Sequence, residues 1–239
     1  MSKIFRKLRK SFISEGKTLN YFKYAIGEIL LVVIGILIAL YINNWNEDRK
    51  DQRKERAILK ELNKDFQKNL EQFNRVKSVY FSSLEASVKF KYFINQPDLI
   101  KVKDSIAKYY YKGFNGVTYN PSNGVVESLI SSGEYQLISN DTLRNYLISW
   151  KDVLEDYLED ERIFAQLWPE KIEPLLIEKG DLTNLASPIN FQLITTLQFK
   201  NLTERHIFLL RNVVRSIKDE PLAAYLNEIT RLSTLKDHE

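Results

Sequence analysis

The sequence contains no cysteine, two histidines and one methionine among its 239 residues. The lack of cysteine excludes a disulfide framework, a thiolate zinc site, an iron–sulfur cluster and a cysteine nucleophile. Because His238 is the penultimate residue, a serine–histidine–acid arrangement would have to use His206. His206 lies within a helical pattern, which favours a packed or solvent-facing histidine. We therefore expect no enzyme activity, no cofactor and no metal site.

Glycine and proline are also scarce, with eight and six residues. This composition excludes collagen-like and low-complexity chains, and the sequence has no glycine-rich loop of the kind that cradles phosphate. The hydrophobic share of 44% and the aromatic share of 12% provide apolar surface that offsets the entropy cost of ordering the chain. The sequence therefore predicts a folded chain with a substantial core.

A strong excess of one charge is missing from most of the chain. Residues 1–24 contain seven of the 35 Lys and Arg residues and a single acid, Glu15. The rest of the chain is close to neutral. The basic pI therefore comes from a short tail, and the large domain has no electrostatic footprint of nucleic-acid binding.

One long apolar stretch is present, with the sequence YAIGEILLVVIGILIALYI at residues 24–42. At about 1.5 Å per residue it spans about 28 Å, close to the hydrocarbon thickness of a bilayer. Two alternatives are a buried core helix and a cleaved signal peptide. The purely apolar run 29–40 argues against the first, and the lack of a small-residue cleavage pattern after it argues against the second. The expected membrane-interface anchors are Tyr21, Phe22, Tyr24, Tyr41 and Trp45.

This uncleaved signal anchor divides the chain into three parts. Residues 1–23 form a basic amphipathic tail, residues 24–42 a transmembrane helix, and residues 43–239 an outer domain. Within 15 residues of the span, the Lys and Arg counts nearly tie, at four before it and five after it. The tail is almost purely cationic, whereas acids are interleaved on the other side, and long domains translocate largely regardless of charge. We therefore expect a cytoplasmic tail and an extracytoplasmic domain.

Four residues of the span share one helical face, which makes this face a candidate helix–helix interface: Glu28, Val32, Gly35 and Ala39. The pair Gly35 and Ala39 is a small-xxx-small motif that permits close approach of a second helix. Glu28 has two interpretations. As a carboxylate within the interface it would suit an accessory subunit of ion-coupled transport. Its position about one turn from the boundary favours a carboxylate that reaches the headgroups or pairs with Lys23.

Two segments carry an unusual pattern. The first, residues 24–50, has Gly27-Glu28 before the apolar run and Asn43-Asn44-Trp45-Asn46 after it, and the second is residues 121–150. In their order and separation both segments resemble a family of uncharacterised single-span membrane proteins of Gram-negative bacteria. The resemblance implies a bacterial envelope protein, and with the orientation above we expect a single-pass inner-membrane protein whose main domain is periplasmic. It supplies no activity, substrate or catalytic residue.

The outer domain begins with a long amphipathic pattern. Residues 46–95 contain no glycine or proline, and Pro97 follows. The apolar positions recur at intervals of three and four: Leu59, Leu62, Phe66, Leu70, Phe73, Val76, Tyr80, Leu84 and Val88. This seam could form a coiled coil with a second copy, but Phe66, Phe73 and Tyr80 are bulky for a two-stranded seam. We therefore favour packing against later helices of the same chain.

Capping residues, glycines and prolines predict the bounds of those later helices. We predict Asp98 as the cap of a helix that ends at Tyr110, and Ser122 as the cap of a helix over 123–131 that stops at Gly133. A long helix follows Asn140, is interrupted at Pro169 and Pro174, and ends at Gly180. Two further helices are predicted at 189–199 and 202–235, with a kink or restart at Pro221. Together these elements predict an all-α fold: one transmembrane helix leading into a long amphipathic helix and an extracytoplasmic helical bundle.

Six acidic residues cluster within the predicted long helix: Asp152, Glu155, Asp156, Glu159, Asp160 and Glu161. The spacing lacks the Glu-x-x-His partners of di-metal bundles, so we interpret the cluster as a solvated charged face. With no chemistry identified, we expect a membrane-anchored protein that acts in protein–protein interaction or assembly, with a protein partner or a second copy of itself. The alternative is a sensory or ligand-binding domain that signals through a partner.

Overall fold

A computed structural model describes residues 18–184, 187–219 and 221–235, with side chains from Phe22 onward except that of Tyr24. The tail prediction for residues 1–17 lies outside the described residues. Every regular element in the described part is helical, and no strand occurs there, which confirms the all-α prediction. Two compact units are present, Met1–Lys54 and Glu55–Glu239.

The helices are numbered here in chain order. Their bounds are α1 Thr18–Phe93, α2 Lys103–Gly113, α3 Gly124–Ser132, α4 Asp141–Leu167, α5 Glu173–Lys179, α6 Pro188–Thr195, α7 Leu197–Asp219 and α8 Leu222–Leu232. A 3₁₀ turn at Glu134–Leu137 precedes α4, and a π turn at Trp168–Ile172 separates α4 from α5. The predicted span and the predicted amphipathic helix are thus one continuous helix, α1.

Buried residues recur along α1 at alternating intervals of four and three. They are Leu62, Phe66, Asn69, Phe73, Val76, Tyr80, Ser83, Ser87 and Phe90, and Ile94 continues the spacing just after the helix; Ala86 is buried in addition to this series. Val88, predicted to lie on the apolar face, is 42% exposed, so that prediction was wrong. Three positions of this heptad spacing are polar, namely Asn69, Ser83 and Ser87. A search for apolar residues alone therefore does not find them.

Helix α1 packs against α4 through three aromatic contacts. The ring centroids lie 4.9 Å apart for Phe66 and Trp150, 5.8 Å for Phe73 and Tyr157, and 5.8 Å for Tyr80 and Phe164, all edge to face. On both helices these residues recur every seven positions in the same direction, so the two helices run parallel. The seam of α1 is therefore covered by the chain's own helices, which confirms the intramolecular interpretation.

Two predicted helix caps were wrong. Asp98 accepts a hydrogen bond from the backbone N–H of Lys101 within a turn, and α2 begins only at Lys103. The hydroxyl of Ser122 donates to Asp65 instead of capping α3. Asn69 clamps the Ser122 backbone, accepting from its N–H at 2.8 Å and donating to its carbonyl at 2.9 Å. Tertiary contacts with α1 thus use the side chain that local reasoning assigned to the cap.

Other predicted boundaries hold. The Asn140 side chain caps α4 by accepting from the N–H of Leu143 at 3.0 Å, and Gly133 ends α3 in the left-handed region with φ of 77°. Because Pro169 lacks an N–H, the backbone widens there into the π turn, in which the N–H of Glu173 donates to the carbonyl of Trp168.

The last predicted helix pair is divided differently in the structure. The predicted helix at 189–199 ends at Thr195, and α7 begins at Leu197. Thr196 has an extended ψ of 146°, and its hydroxyl accepts from the N–H of Phe199 at 3.3 Å. Thr196 is therefore a helix cap that divides the predicted segment. The expected restart at Pro221 is confirmed by the start of α8 at Leu222.

Candidate functional site

The candidate interface face in the apolar part of α1 lies on one continuous helix. Val32 is exposed, and a Cβ placed on Gly35 would meet no atom within 4 Å. Glu28 is partly exposed, and Ala39 is exposed. The helix therefore presents this face to its surroundings, while its role as an interface stays a prediction.

The predicted membrane anchors include three side chains that the structure describes. Phe22, Tyr41 and Trp45 are all exposed. The Arg49 guanidinium lies 4.9 Å from the ring centroid of Trp45, a cation–π contact. The side chains of Tyr21 and Tyr24 lie outside the described residues.

Glu161 is the most unusual residue of the unit Glu55–Glu239, because its carboxyl group is buried and the residue is only 3% exposed. The backbone N–H of Tyr119 donates to both carboxyl oxygens, at 3.1 and 3.0 Å. The Tyr157 hydroxyl donates to Oε1 at 3.1 Å, and the Tyr80 hydroxyl lies 3.0 Å from the same oxygen. The interpretation of the whole acidic cluster as a solvated face was therefore wrong for Glu161.

The electrostatics of this site follow from burial. Desolvation raises the pKa of Glu161, and the hydrogen bonds from Tyr119 and Tyr157, together with the contact with Tyr80, offset part of that rise. Burial, with the Glu161 charge as a second cause, also raises the pKa of Tyr80, Tyr119 and Tyr157. The three phenols therefore stay protonated at neutral pH.

The proton count at Tyr80 favours a protonated Glu161. The Tyr80 hydroxyl has one hydrogen and lies 2.6 Å from the carbonyl oxygen of Val117, closer than its 3.0 Å contact with Glu161. If the Tyr80 hydroxyl donates its hydrogen to the Val117 carbonyl, it can only accept in its contact with Glu161. The hydrogen of that second bond must then come from a protonated Glu161 carboxyl group. A neutral carboxylic acid in a buried site agrees with the direction of its pKa shift.

His206 is packed in the core, as expected. Its Nε2 lies 3.0 Å from the carbonyl oxygen of Gly113 and 3.1 Å from the hydroxyl of Ser87, and its ring stacks on Phe114 with centroids 4.2 Å apart. Burial lowers the pKa of His206 to about 4, and the hydrogen bond to Gly113 offsets part of that shift. His206 is therefore neutral at pH 7.

The contact between Ser87 and His206 is structural. Ser87 is fully buried, and its hydroxyl donates to the Gly113 carbonyl at 3.0 Å. A Cβ on Gly113 would lie 2.8 Å from the Ser87 hydroxyl oxygen, so only glycine permits this close approach of α2 to α1. The described partners of His206 include no carboxylate, so they form no serine–histidine–acid triad.

The remaining acids of the cluster lie at the surface or contact polar partners. Asp152, Glu155, Asp156 and Glu159 are exposed, whereas Asp160 accepts a hydrogen bond from the Ser216 hydroxyl on α7. Within the described ranges no group of three or more His, Asp or Glu side chains could hold a metal ion.

The unit Glu55–Glu239 has an apolar cavity of about 280 Å³. Six buried residues from α1, α2, α5, α6 and α7 line it: Phe90, Ile106, Leu176, Leu193, Ile194 and Phe199. The other eight lining residues are partly or fully exposed: Lys103, Asp104, Ala107, Tyr110, Tyr111, Leu182, Asn190 and Phe191. The cavity therefore combines an apolar interior with exposed polar and charged lining residues, the usual make-up of a small-molecule site.

Sequence reasoning missed both Glu161 and this cavity. For Glu161 a signal was available, because Leu154, Tyr157, Glu161 and Phe164 continue the buried spacing of α4. For the cavity no local signal exists, since its lining comes from five helices and the segment between α5 and α6. The tyrosines of segment 109–119 differ in burial, since Tyr119 is buried whereas Tyr111 is 58% exposed.

Comparison with protein families gives a match over most of the chain. A profile described as a family of unknown function (DUF6090) matches residues 28–212. The search of curated proteins and the search of solved structures returned no match. The match confirms that the chain contains an uncharacterised domain.

Proposed function

The chain belongs to the DUF6090 family of unknown function, and we propose that it is a membrane-anchored helical protein that assembles with a protein partner or with a second copy of itself. The observation that carries this proposal is the apolar part of α1. This helix is long and apolar enough to cross a membrane, and none of its most apolar 18-residue window is buried within the protein. A continuous apolar surface of this kind calls for lipid or a partner helix to cover it.

The proposed location is the bacterial inner membrane, with a single pass, a cytoplasmic tail and a periplasmic main domain. The asymmetry of charge supports this orientation, because the tail is short and cationic whereas acids are interleaved with the bases that follow the span. A long domain after the span is translocated largely regardless of its own charge.

A topology experiment tests this orientation. A reporter that is active only outside the cytoplasm, fused after Glu239, is expected to be active, and the same reporter fused before Met1 is expected to be inactive. A second reporter that is active only in the cytoplasm serves as the matched control and should give the reverse pattern. Activity is normalised to the amount of fusion protein. Activity of the first reporter at the N-terminus alone contradicts the orientation.

The proposed assembly uses the part of the predicted face that Val32, Gly35 and Ala39 form. Small residues let two helix backbones approach closely, and in lipid such packing replaces the hydrophobic effect as the attraction between helices. The open space at Gly35 supports this role, because a partner helix could occupy it without moving a side chain. We assign Glu28 to the membrane boundary instead of the interface, as its position near the start of the span suggests.

Two substitutions separate these roles in a measurement of helix association within the membrane. Gly35→Leu is expected to weaken association about tenfold, because a leucine blocks the close approach. Glu28→Gln is expected to leave association unchanged, because an interfacial anchor keeps most of its hydrogen bonds as an amide. Val33→Leu, which adds bulk away from this face, is the matched control. If Glu28→Gln abolishes association as fully as Gly35→Leu, the carboxylate belongs to the interface.

A second function, the binding of a small ligand by the outer domain, is favoured by one observation, the apolar cavity of about 280 Å³. Its size lies near the lower end of the range for small-molecule sites. A ligand bound there would bridge α2, α6 and α7. The two functions are compatible, since one uses the span and the other the outer domain.

A further inference from the structure

The cavity between α2, α6 and α7 has a distinctive pair of charged residues. Lys103 and Asp104, the first two residues of α2, both line the cavity. Both are exposed, and neither makes an ion pair with a described residue. Two neighbouring, unpaired charges of opposite sign beside an apolar cavity complement a ligand that carries both charges close together.

The interior sets the nature of the rest of the ligand. Its walls include the rings of Phe90 and Phe199, both almost fully buried. The volume of about 280 Å³ corresponds to about nine water molecules at the ~30 Å³ that each takes in the liquid. One large apolar side chain fits within such a volume. Water in an interior with so few polar partners is easily displaced.

Two apolar side chains of the lining are exposed, and a ligand bound in the cavity would cover them. Tyr111 and Leu182 both line it and are 58% and 57% exposed. The segment that carries Leu182 is held by Asn190, whose amide accepts from the N–H of Asp181 at 2.8 Å and donates to its carbonyl at 2.9 Å. The segment after α5 is thus fixed to α6, and Leu182 is positioned beside the cavity before any ligand binds.

From these observations we propose that the cavity binds a free α-amino acid with a large apolar side chain. The side chain enters the apolar interior, Lys103 binds the carboxylate and Asp104 binds the ammonium group. This proposal deepens the ligand-binding function above and rests on it. It is independent of association through the span.

The test is a ligand-observed NMR titration of the full chain in detergent micelles, with L-phenylalanine as the probe. Two analogues each lack one charge: phenethylamine has no carboxylate, and 3-phenylpropanoate has no ammonium group. Saturable binding of L-phenylalanine is expected, with each analogue bound about tenfold more weakly, because each loses one charge-assisted hydrogen bond. Equal binding of all three compounds overturns the proposal.

Charge variants assign the two roles. Lys103→Gln is expected to weaken L-phenylalanine binding about tenfold and to leave phenethylamine binding unchanged. Asp104→Asn is expected to weaken L-phenylalanine equally and to leave 3-phenylpropanoate binding unchanged. Lys108→Gln, an exposed lysine of α2 that does not line the cavity, is the matched control. Loss of all ligands alike in both charge variants, with helicity retained, overturns the assignment.

A cavity-filling variant separates failure of this proposal from failure of ligand binding as a function. Ala107→Phe places a ring into the cavity from an exposed position on α2, and Ala224→Phe is a matched control on α8. Only the first is expected to abolish binding. If benzyl alcohol binds and Ala107→Phe removes it while L-phenylalanine does not bind, the amino-acid proposal is overturned and ligand binding stands. If no probe binds, both are overturned.

Discussion

Trp150→Ala is expected to lower the free energy of unfolding of the unit Glu55–Glu239 by about 3–5 kcal/mol, the usual range for deleting a buried tryptophan side chain. Trp150 is almost fully buried, and its ring meets Phe66 edge to face at 4.9 Å. Its Nε1–H donates to the Asn123 side chain at 2.9 Å, so the substitution also removes a hydrogen bond between α4 and the start of α3. The cavity left behind lies between α1 and α4, where the remaining aromatic contacts limit collapse.

Urea denaturation of the full chain, followed by circular dichroism, measures this effect. Ile148→Ala is the matched control, because Ile148 lies on the same helix and is exposed. Its expected effect is within about 0.5 kcal/mol. A loss for Trp150→Ala as small as that of the control would mean that α1 and α4 do not pack through this contact.

Glu161→Ala is expected to be comparably destabilising, by about 3–5 kcal/mol in all. The substitution leaves the backbone N–H of Tyr119 and the hydroxyl of Tyr157 without their acceptor in a buried site. Each buried polar group without a partner costs about 1–3 kcal/mol. The substitution also removes the hydrogen bonds that join the Tyr119 backbone to α4.

Glu161→Gln is expected to retain most of that stability. Glutamine has the shape of a protonated glutamic acid, with one oxygen that accepts and one group that donates toward Tyr80. If the carboxyl group were ionised in the folded protein, all its partners would be hydrogen-bond donors. The NH₂ group of glutamine would then face a donor, and Glu161→Gln would be as destabilising as Glu161→Ala. Comparison of the two variants by urea denaturation at pH 7 therefore reports the charge of Glu161.

The pH dependence has a definite sign. Because burial raises the pKa of Glu161 above its ordinary value of 4.5, the folded protein keeps a proton that the unfolded chain loses. The stability that this proton contributes is complete below pH 4.5 and is lost as the pH rises toward the raised pKa. The stability of wild type relative to Glu161→Gln should fall over that window, measured by urea denaturation at several pH values.

The contribution of His206 to stability has the opposite pH dependence, and the comparison of wild type with Glu161→Gln cancels it. Its pKa is lowered from 6.5 to about 4, so its contribution is complete above pH 6.5 and is lost as the pH falls toward 4. Wild type and Glu161→Gln both retain His206, so the difference between them isolates Glu161. Arg162, which is exposed, lines an adjoining cavity together with Glu161 and is also present in both proteins. If the stability of wild type relative to Glu161→Gln rose with pH instead, the raised pKa of Glu161 would be contradicted.

Helix positions and the apolar stretch were predictable from the sequence. The run at 24–42 and the absence of glycine and proline over 46–95 are local properties, and local hydrogen bonds and side-chain spacing are sufficient to produce a helix from them. Asn140 and Gly133 were identified for the same reason, since each acts on a helix end within a few residues.

Caps that compete with tertiary partners were not predictable. Ser122 has the correct side chain for a cap, yet its hydroxyl donates to Asp65, and its backbone is held by Asn69. The partners lie more than fifty positions away in sequence, so no local rule contains them. The same reason explains the polar residues of the α1 seam, because Ser87 is buried only through its contacts with Gly113 and His206.

The sequence by itself determined the all-α class, the apolar span, the long amphipathic helix and the candidate face of Glu28, Val32, Gly35 and Ala39, because these depend on periodicity within one helix. Only the tertiary structure decided that Glu161 leaves the acidic surface for the core, that His206 is neutral, and that five helices enclose an apolar cavity beside Lys103 and Asp104. Burial and proton affinity depend on which distant groups exclude water from a side chain, and that is a property of the packed domain.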